Sequence, residues 1–590
     1  MKTLFLIATT LLVSLLSCLS VLIGSATADE IDVRKVLPAS TAIYVQARSI
    51  ESVLEHPFTS TVKASSAYKK VMRSPDILKL LAGIAVFEFA VGDKLDAVAK
   101  SLTSGGLHFA VDKATEGAVL LACTESEEWI EDYLQKLVKL ARTDAKSKNQ
   151  SDPVREADYR GIHGYEFQKM IIGNIGSLLI VTNKKELGKS IIDRHLDATN
   201  DHLDSHPLFQ QAWNSGVDLE QKDAPEPVVK TFVDIDTLRQ AGVAKDLLMG
   251  KAKDFAGELI LGGVLATMQK TSFAIGELTL ANNLITIQLR VPHEKNWTEE
   301  SRTFFVGPQG AGYAAPLVDG TGTMASLIAY RNLAEMWLRA GDLFDEKVND
   351  QLAQADNTLT TLFSGKDFGT DILGAVEPQI QIVAVEQSFE KTSEPAIRLP
   401  SFGLVARLKD AKMQKELKRT FQSFVGFLNV AGAMEGNPQL DLESEKIDGK
   451  QIYTATYLQD SDKKYTNGLP IQFNFSPTLA FESDLVYITS TNALAKRLGA
   501  RSAAHKASDV KSRDNTLLTV DFGSLKQALE ANRNQLISQN MLEKGHNRTE
   551  AEKEIDTLVS LLSMLKSGSA ALRFDDQVRL TLDLEIHSDR

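Results

Sequence analysis

Apolar and polar positions alternate in short runs along this chain, and one arrangement of them returns four times. Val45-Gln46-Ala47-Arg48-Ser49-Ile50, Val233-Asp234-Ile235-Asp236-Thr237-Leu238, Ile328-Ala329-Tyr330-Arg331-Asn332-Leu333 and Val520-Asp521-Phe522-Gly523-Ser524-Leu525 share it. Each reads as the end of a β-strand, a small polar residue, then an apolar residue opening a helix. The polar residue (Ser49, Thr237, Asn332 or Ser524) can accept a free N–H of the first helical turn on its side-chain oxygen. Three residues later stand Ser52, Gln240, Glu335 and Gln527, so three of the four sites predict a reciprocal capping box.

Between these motifs the periodicity predicts further elements. Gly105–Val111 and Ala118–Cys123 read as paired strands across a polar turn. Trp129, Tyr133 and Leu137 recur every four residues, which predicts an amphipathic helix over Glu127–Arg142. Lys412–Val430 repeats it with Met413, Leu417, Phe421, Phe424 and Phe427. Helical stretches are expected over Asp76–Ala85, Leu247–Met268 and Ile555–Leu565. Antiparallel hairpins are expected where Phe273–Leu280 meets Leu284–Val291 and where Ser569–Phe574 meets Val578–Ile586.

The spacing of these features implies a tandem duplication. Val45 to Ile328 is 328 − 45 = 283 residues, and Val233 to Val520 is 520 − 233 = 287. Gly161 and Tyr165 match Gly449 and Tyr453 at an offset of 288. Leu178 in Ser177–Thr182 matches Leu485 at 485 − 178 = 307, which places a polar insertion around Ser461–Gly468. The expectation is an α+β fold in two tandem copies of one domain, each a mostly antiparallel or mixed sheet packed against amphipathic helices. The predicted layout is a signal peptide at 1–28, a first repeat domain at 29–292, a Gly/Pro-rich linker at 293–316 and a second repeat domain at 317–590.

Lys2, the apolar run Leu4–Ile23 and the small residues Ala26-Thr27-Ala28 describe an export signal cut after Ala28. An uncut membrane anchor and a weak lipoprotein box at Leu15-Leu16-Ser17-Cys18 are the alternatives. Of 65 basic and 77 acidic residues only Lys2 lies in the signal, so the mature chain carries 64 − 77 = −13. An acidic chain of this kind disfavours nucleic acid as a partner. It suits a soluble protein of the periplasm, cell envelope or medium; a membrane enters only if the first segment is retained. With Cys18 removed, Cys123 is the one thiol, so no internal disulfide is expected. Its place in an apolar strand predicts a small buried hydrophobe.

Candidate chemistry is sparse. His195, Asp197, Asp201 and His202 fall close together and are suitable ligands for a divalent ion, although a solvated loop before the helix start at Ser205-His206-Pro207 is the stronger reading of them. Gly320-Thr321-Gly322-Thr323-Met324-Ala325 precedes a strand, the wrong context for a dinucleotide loop. No His-Glu-x-x-His, Gly-x-Ser-x-Gly or P-loop pattern occurs. Asp234, Asp236 and Asp521 follow motif strands, but the other copies carry Gln46, Arg48, Ala329 and Arg331 there. Asn149, Asn296 and Asn547 open glycosylation sequons, which matter only in a host that glycosylates. No catalytic residue and no cofactor is predicted.

The opening Leu37-Pro38-Ala39-Ser40-Thr41-Ala42-Ile43-Tyr44-Val45, the repeated strand–cap–helix, the Gly-x-x-x-Tyr pattern and Ser-Leu-Leu-Ile-Val-Thr resemble a large family of exported bacterial proteins known only as a domain of unknown function. That resemblance would cover nearly all of the mature chain and implies no activity. Three functions are open: a non-enzymatic binding or scaffolding protein with an unidentified protein or envelope partner; a carrier of an apolar or peptide ligand, held between sheet and long helix in each half or where the halves meet; and a metal-assisted hydrolase using His195 and His202.

Overall fold

The computed structural model describes residues 31–587, apart from most of 65–91, all of 215–224, 244–253, 319–321, 460–467 and 500–512, and short gaps at 311, 364, 391–393 and 436. The export segment, the helix expected over Asp76–Ala85, the start of Leu247–Met268 and nearly all of the polar insertion lie outside these residues. Among the described residues no helix is long and apolar enough to cross a membrane.

The protein is an α+β fold with antiparallel strands, gathered into two compact units. Unit 1 takes the residues up to Lys245 together with Thr271–Pro292 and the last residues from Ile586; unit 2 takes Asp246–Lys270 together with His293–Glu585. In unit 1 the strands are β1 (Thr41–Ala47), β2 (Gly106–Asp112), β3 (Gly117–Cys123), β4 (Val154–Tyr159), β5 (Ile162–Phe167), β6 (Met170–Ile175), β7 (Leu178–Thr182), β8 (Val229–Asp234), β9 (Phe273–Ala281) and β10 (Leu284–Pro292). They pair in the order β10-β9-β8-β1-β2-β3-β7-β6-β5-β4.

Unit 2 holds β11 (Ala325–Tyr330), β12 (Val376–Val385), β13 (Ser401–Leu408), β14 (Leu440–Ile447), β15 (Lys450–Tyr457), β16 (Thr478–Glu482), β17 (Leu485–Thr489), β18 (Asp514–Asp521), β19 (Leu565–Phe574) and β20 (Gln577–Ile586). Their order is β20-β19-β18-β11-β12-β13-β17-β16-β15-β14. Strand for strand, the two pairing schemes are the same.

The Gly-x-x-x-Tyr pattern marks a tight turn in both units. Arg160 and Gly161 join β4 to β5 with φ of 52° and 86°, and Asp448 and Gly449 join β14 to β15 with φ of 50° and 86°. Two successive left-handed residues match the twist of a two-residue hairpin, which is why glycine stands second.

One face of the unit 1 sheet is closed by the helices Val33–Val36, Lys185–Asp197 and Pro207–Asn214 over a core of Tyr44, Leu121, Ile180, Leu187, Phe209 and Phe232. On the other face the helix Glu127–Ser147 sets Ile130 and Leu134 against Ala122 and Leu179. This helix runs five residues beyond its expected end, and β4 follows it from Val154.

The joint expected at 293–316 is not a linker. The short helix Thr303–Val306 buries Phe304, Phe305 and Val306 completely, and the helix Phe255–Met268 shares its unit. A Cβ on Gly263 of that helix would stand 2.4 Å from the Phe305 ring, so glycine is what permits the close approach. The Gly/Pro content that suggested a flexible joint thus serves tight turns and packing.

Two of the four strand–cap–helix motifs also differ from the sequence expectation. Ser49 and Asn332 cap as predicted, accepting from the backbone N–H of Ser52 and Glu335. In the other two the cap is Asp234 or Asp521, three residues earlier, and Thr237 and Ser524 lie inside the first turn. An aspartate at the strand end offers the same acceptor with a charge that favours the helix N-terminus. None of the three expected reciprocal boxes forms. The Glu335 carboxylate, for example, accepts from the Thr303 hydroxyl and from the Asn332 side-chain amide.

Candidate functional site

The predicted metal ligands do not converge. Asp197 is held by two nitrogens of Arg160 at 2.7 and 2.8 Å, and Asp201 by Arg194 at 3.1 Å. His202 uses Nδ1 to accept the Ser205 N–H at 3.1 Å in a short capping turn. His195 is exposed on the last turn of its helix. Among the described residues no three His, Cys, Asp or Glu side chains are placed to share an ion. Asp234 and Asp521 are caps, and Asp236 pairs with Arg239. Asn547 caps the helix Arg548–Leu562.

One set of converging polar side chains lies in the core of unit 1, and of its members the sequence singles out only Cys123. Alternation along β2 points His108 to the same face as Ala110, into the core. Its Nδ1 lies 2.9 Å from the Tyr44 hydroxyl and its Nε2 lies 3.9 Å from the Cys123 sulfur. All three side chains are buried. Burial holds the His108 imidazole down at about 4 and pushes the Tyr44 phenol up, so both are neutral at physiological pH. A base this weak gains little by taking a thiol proton, which argues against a Cys–His nucleophile.

These groups line a cavity of about 410 Å³, completed by Ile31–Arg34, Gln46 and Trp213. That volume lies toward the lower end of small-molecule pockets. Trp213 packs at 5.3 Å from Tyr44 and 5.1 Å from Phe209. Arg34, on the cavity wall, is answered by Asp32 at 3.1 Å and Asp204 at 3.6 Å, so its charge is compensated.

The pairing scheme shows what stands at the same place in unit 2. Ile180 and Tyr487 are related by 487 − 180 = 307, the offset already found for Leu178 and Leu485. Across the ladders, Ile180–Leu121–His108–Gln46 corresponds to Tyr487–Val405–Gln381–Ile328. Gln381 therefore occupies the position of His108, and Ser326 that of Tyr44. Both pairs are hydrogen-bonded: Gln381 Nε2 donates to Ser326 Oγ at 3.2 Å. Gln381 is completely buried, and its Oε1 accepts from the N–H groups of Leu317 and Val318 at 2.8 and 2.9 Å. Main chain fills in unit 2 the place that is open in unit 1.

Unit 2 presents a different feature, an open apolar face on the opposite side of its sheet. Ile382, Leu404 and Ile488 form one row across β12, β13 and β17. The helix Met413–Glu435 covers one end of this face, packing Met413, Leu417 and Phe421 on Ala406, Leu408 and Val486. Past it, Phe402 and Ile488 remain 54% and 52% exposed, and Phe427 and Met434 on the later turns of the helix are 64% and 86% exposed. Ile382, Phe402 and Ile488 are large apolar side chains on neighbouring strands of one sheet face, and such a group marks an interaction site.

No protein-family model and no curated protein sequence matches the chain. Solved structures of TP0453 match part of it. Crystal form IV has 10% identity and a TM-score of 0.23 over 45% of this chain and 81% of that one; crystal form I has 11% identity and a TM-score of 0.23 over 45% and 79%. TM-scores this low carry no argument for fold or function.

Proposed function

We propose that this is an exported protein, cut after Ala28, that acts outside the cytoplasm as a non-enzymatic binding or scaffolding protein. Its two α+β units are read as copies of one module; the identical strand order and the shared Tyr44–His108 and Ser326–Gln381 positions support that origin. The observation that carries the binding reading is the apolar face of unit 2, where Phe402 and Ile488 stand beyond the cover of the helix Met413–Glu435. Leaving such side chains in water costs on the order of 1.5–3 kcal/mol each relative to burial, a cost that a bound partner would remove. Oxidative footprinting tests this by comparing the protein in its native envelope or secreted fraction with the purified chain. Phe402 and Ile488 are expected to be protected in the native fraction and labelled after purification. Equal labelling in both would refute the reading. A second reading, a carrier of an apolar or peptide ligand, is favoured by the cavity of unit 1.

A further inference from the structure

The cavity of unit 1 and the filled position of unit 2 together indicate what kind of molecule the cavity takes. Counted from the matched pair Ser326 and Tyr44, Leu317 and Val318 lie 326 − 317 = 9 and 326 − 318 = 8 residues upstream, the places held in unit 1 by Lys35 (44 − 35 = 9) and Val36 (44 − 36 = 8). The same stretch of chain therefore approaches the same place on the sheet in both units. In unit 2 it sits outside any helix, and its amide groups reach Gln381: two N–H groups donate to Oε1, and the Val318 carbonyl accepts from Nε2 at 3.3 Å. In unit 1 it is wound into the helix Val33–Val36, capped by Asp32. Four residues span about 6 Å as helix and about 13 Å when extended. Winding withdraws the main chain from the sheet, and the cavity lies between the wound segment and Tyr44, Gln46 and His108.

We infer that the cavity of unit 1 binds a small, uncharged, apolar molecule carrying an amide, of the size of a capped dipeptide, in the place that Leu317–Val318 fills in unit 2. This rests on the carrier reading and specifies its ligand. The walls set the chemistry. Ile31, Val33 and Trp213 supply apolar surface. Arg34 is balanced by Asp32 and Asp204, and His108 and Tyr44 are hydrogen-bonded to each other, so no unbalanced charge invites an ion. Gln46 is half-buried on the wall, and its carboxamide offers a donor and an acceptor, the complement of a peptide group. A charged end group would enter with no counter-charge to receive it and would keep its desolvation cost.

Cys123 makes the cavity testable, because its thiol lies on the wall and the chain has two cysteines in all. In the full chain carrying Cys18→Ser, alkylation of Cys123 by N-ethylmaleimide is followed with and without N-acetyl-leucyl-valine methylamide, and with and without zwitterionic Leu-Val. Saturation-transfer NMR of the same two probes supplies a readout that does not depend on thiol reactivity. The capped peptide is expected to bind and to slow alkylation at least fivefold, and the zwitterion to do neither. Gln46→Leu, at a half-exposed position that the fold tolerates, is expected to weaken capped-peptide binding about tenfold, the loss of one hydrogen bond of about 1.4 kcal/mol. If neither probe binds, the carrier reading of this cavity falls. If both bind equally, or Gln46→Leu changes nothing, the carrier reading survives and the uncharged-amide assignment is overturned.

Discussion

Glu258, on the helix Phe255–Met268, is completely buried and accepts from Arg302 Nε at 2.7 Å and from a terminal guanidinium nitrogen at 3.2 Å. Arg302 is itself only 5% exposed and belongs to the stretch that composition marks as a linker. Glu258→Leu leaves a guanidinium in the interior without its counter-charge, which costs about 3–5 kcal/mol. Glu258→Leu with Arg302→Met removes both charges and replaces them with apolar volume, a change that is commonly near neutral or stabilising. Two units need not unfold in one transition, so the assay is hydrogen-exchange mass spectrometry in urea, reading peptides from 254–268 and 293–316. With a urea dependence of about 3 kcal/mol per molar, a loss of about 4 kcal/mol moves the midpoint for those peptides down by about 1.3 M. The double variant is expected to recover most of it. If the single variant unfolds within about 0.2 M of the wild type, 293–316 is a solvated joint after all and its assignment to unit 2 is wrong.

Other consequences are equally direct. Asp234→Ala and Asp521→Ala should each cost about 1 kcal/mol of stability, and Thr237→Ala and Ser524→Ala clearly less, because the aspartates are the caps; chemical denaturation separates the two pairs. Gly161→Ala and Gly449→Ala should each cost about 1–2 kcal/mol from the left-handed backbone alone, since a Cβ at either position meets no atom within 4 Å. The buried His108 titrates at about 4 in place of 6.5, so between those values the unfolded chain binds a proton that the folded one does not. The resulting stability is complete above pH 6.5 and is lost as the pH falls toward 4, by about 3 kcal/mol at the lower end. His108→Gln, which installs the residue found at the matching position of unit 2, should flatten that slope in pH-dependent thermal unfolding.

Local patterns carried much of the architecture into the sequence. The paired strands ending at Cys123, the closing hairpin around Asn282-Asn283 and the long amphipathic helix from Glu127 could be read because each element's own periodicity or turn chemistry determines it. The caps at Asp234 and Asp521 were harder. Asp, Thr and Ser all suit the position, and sequence alone does not say where the strand ends. The packing of Phe304–Val306 was hidden because glycine and proline mark tight turns and flexible joints alike.

The candidate site was the least legible part. His195 and His202 are close in sequence, yet Arg160, Arg194 and a capping turn engage their carboxylate neighbours and His202 itself. Tyr44, His108 and Cys123 lie 64 and 15 residues apart and meet only through the β1–β2–β3 ladder. A signal existed in the single histidine within the alternating run Leu107-His108-Phe109-Ala110. Its meaning needed the partner strands, and the comparison with Gln381 needed the register of both sheets.

The most direct measurement is native mass spectrometry of the protein gently isolated from its own envelope or medium, before and after a chelator. The account predicts a chain beginning at Asp29 that carries a bound protein or small organic ligand, with a mass the chelator does not change. An excess mass removed by chelator would contradict it in favour of metal-assisted chemistry, and a chain that is bare under every gentle isolation would contradict the claim that this is a binding protein.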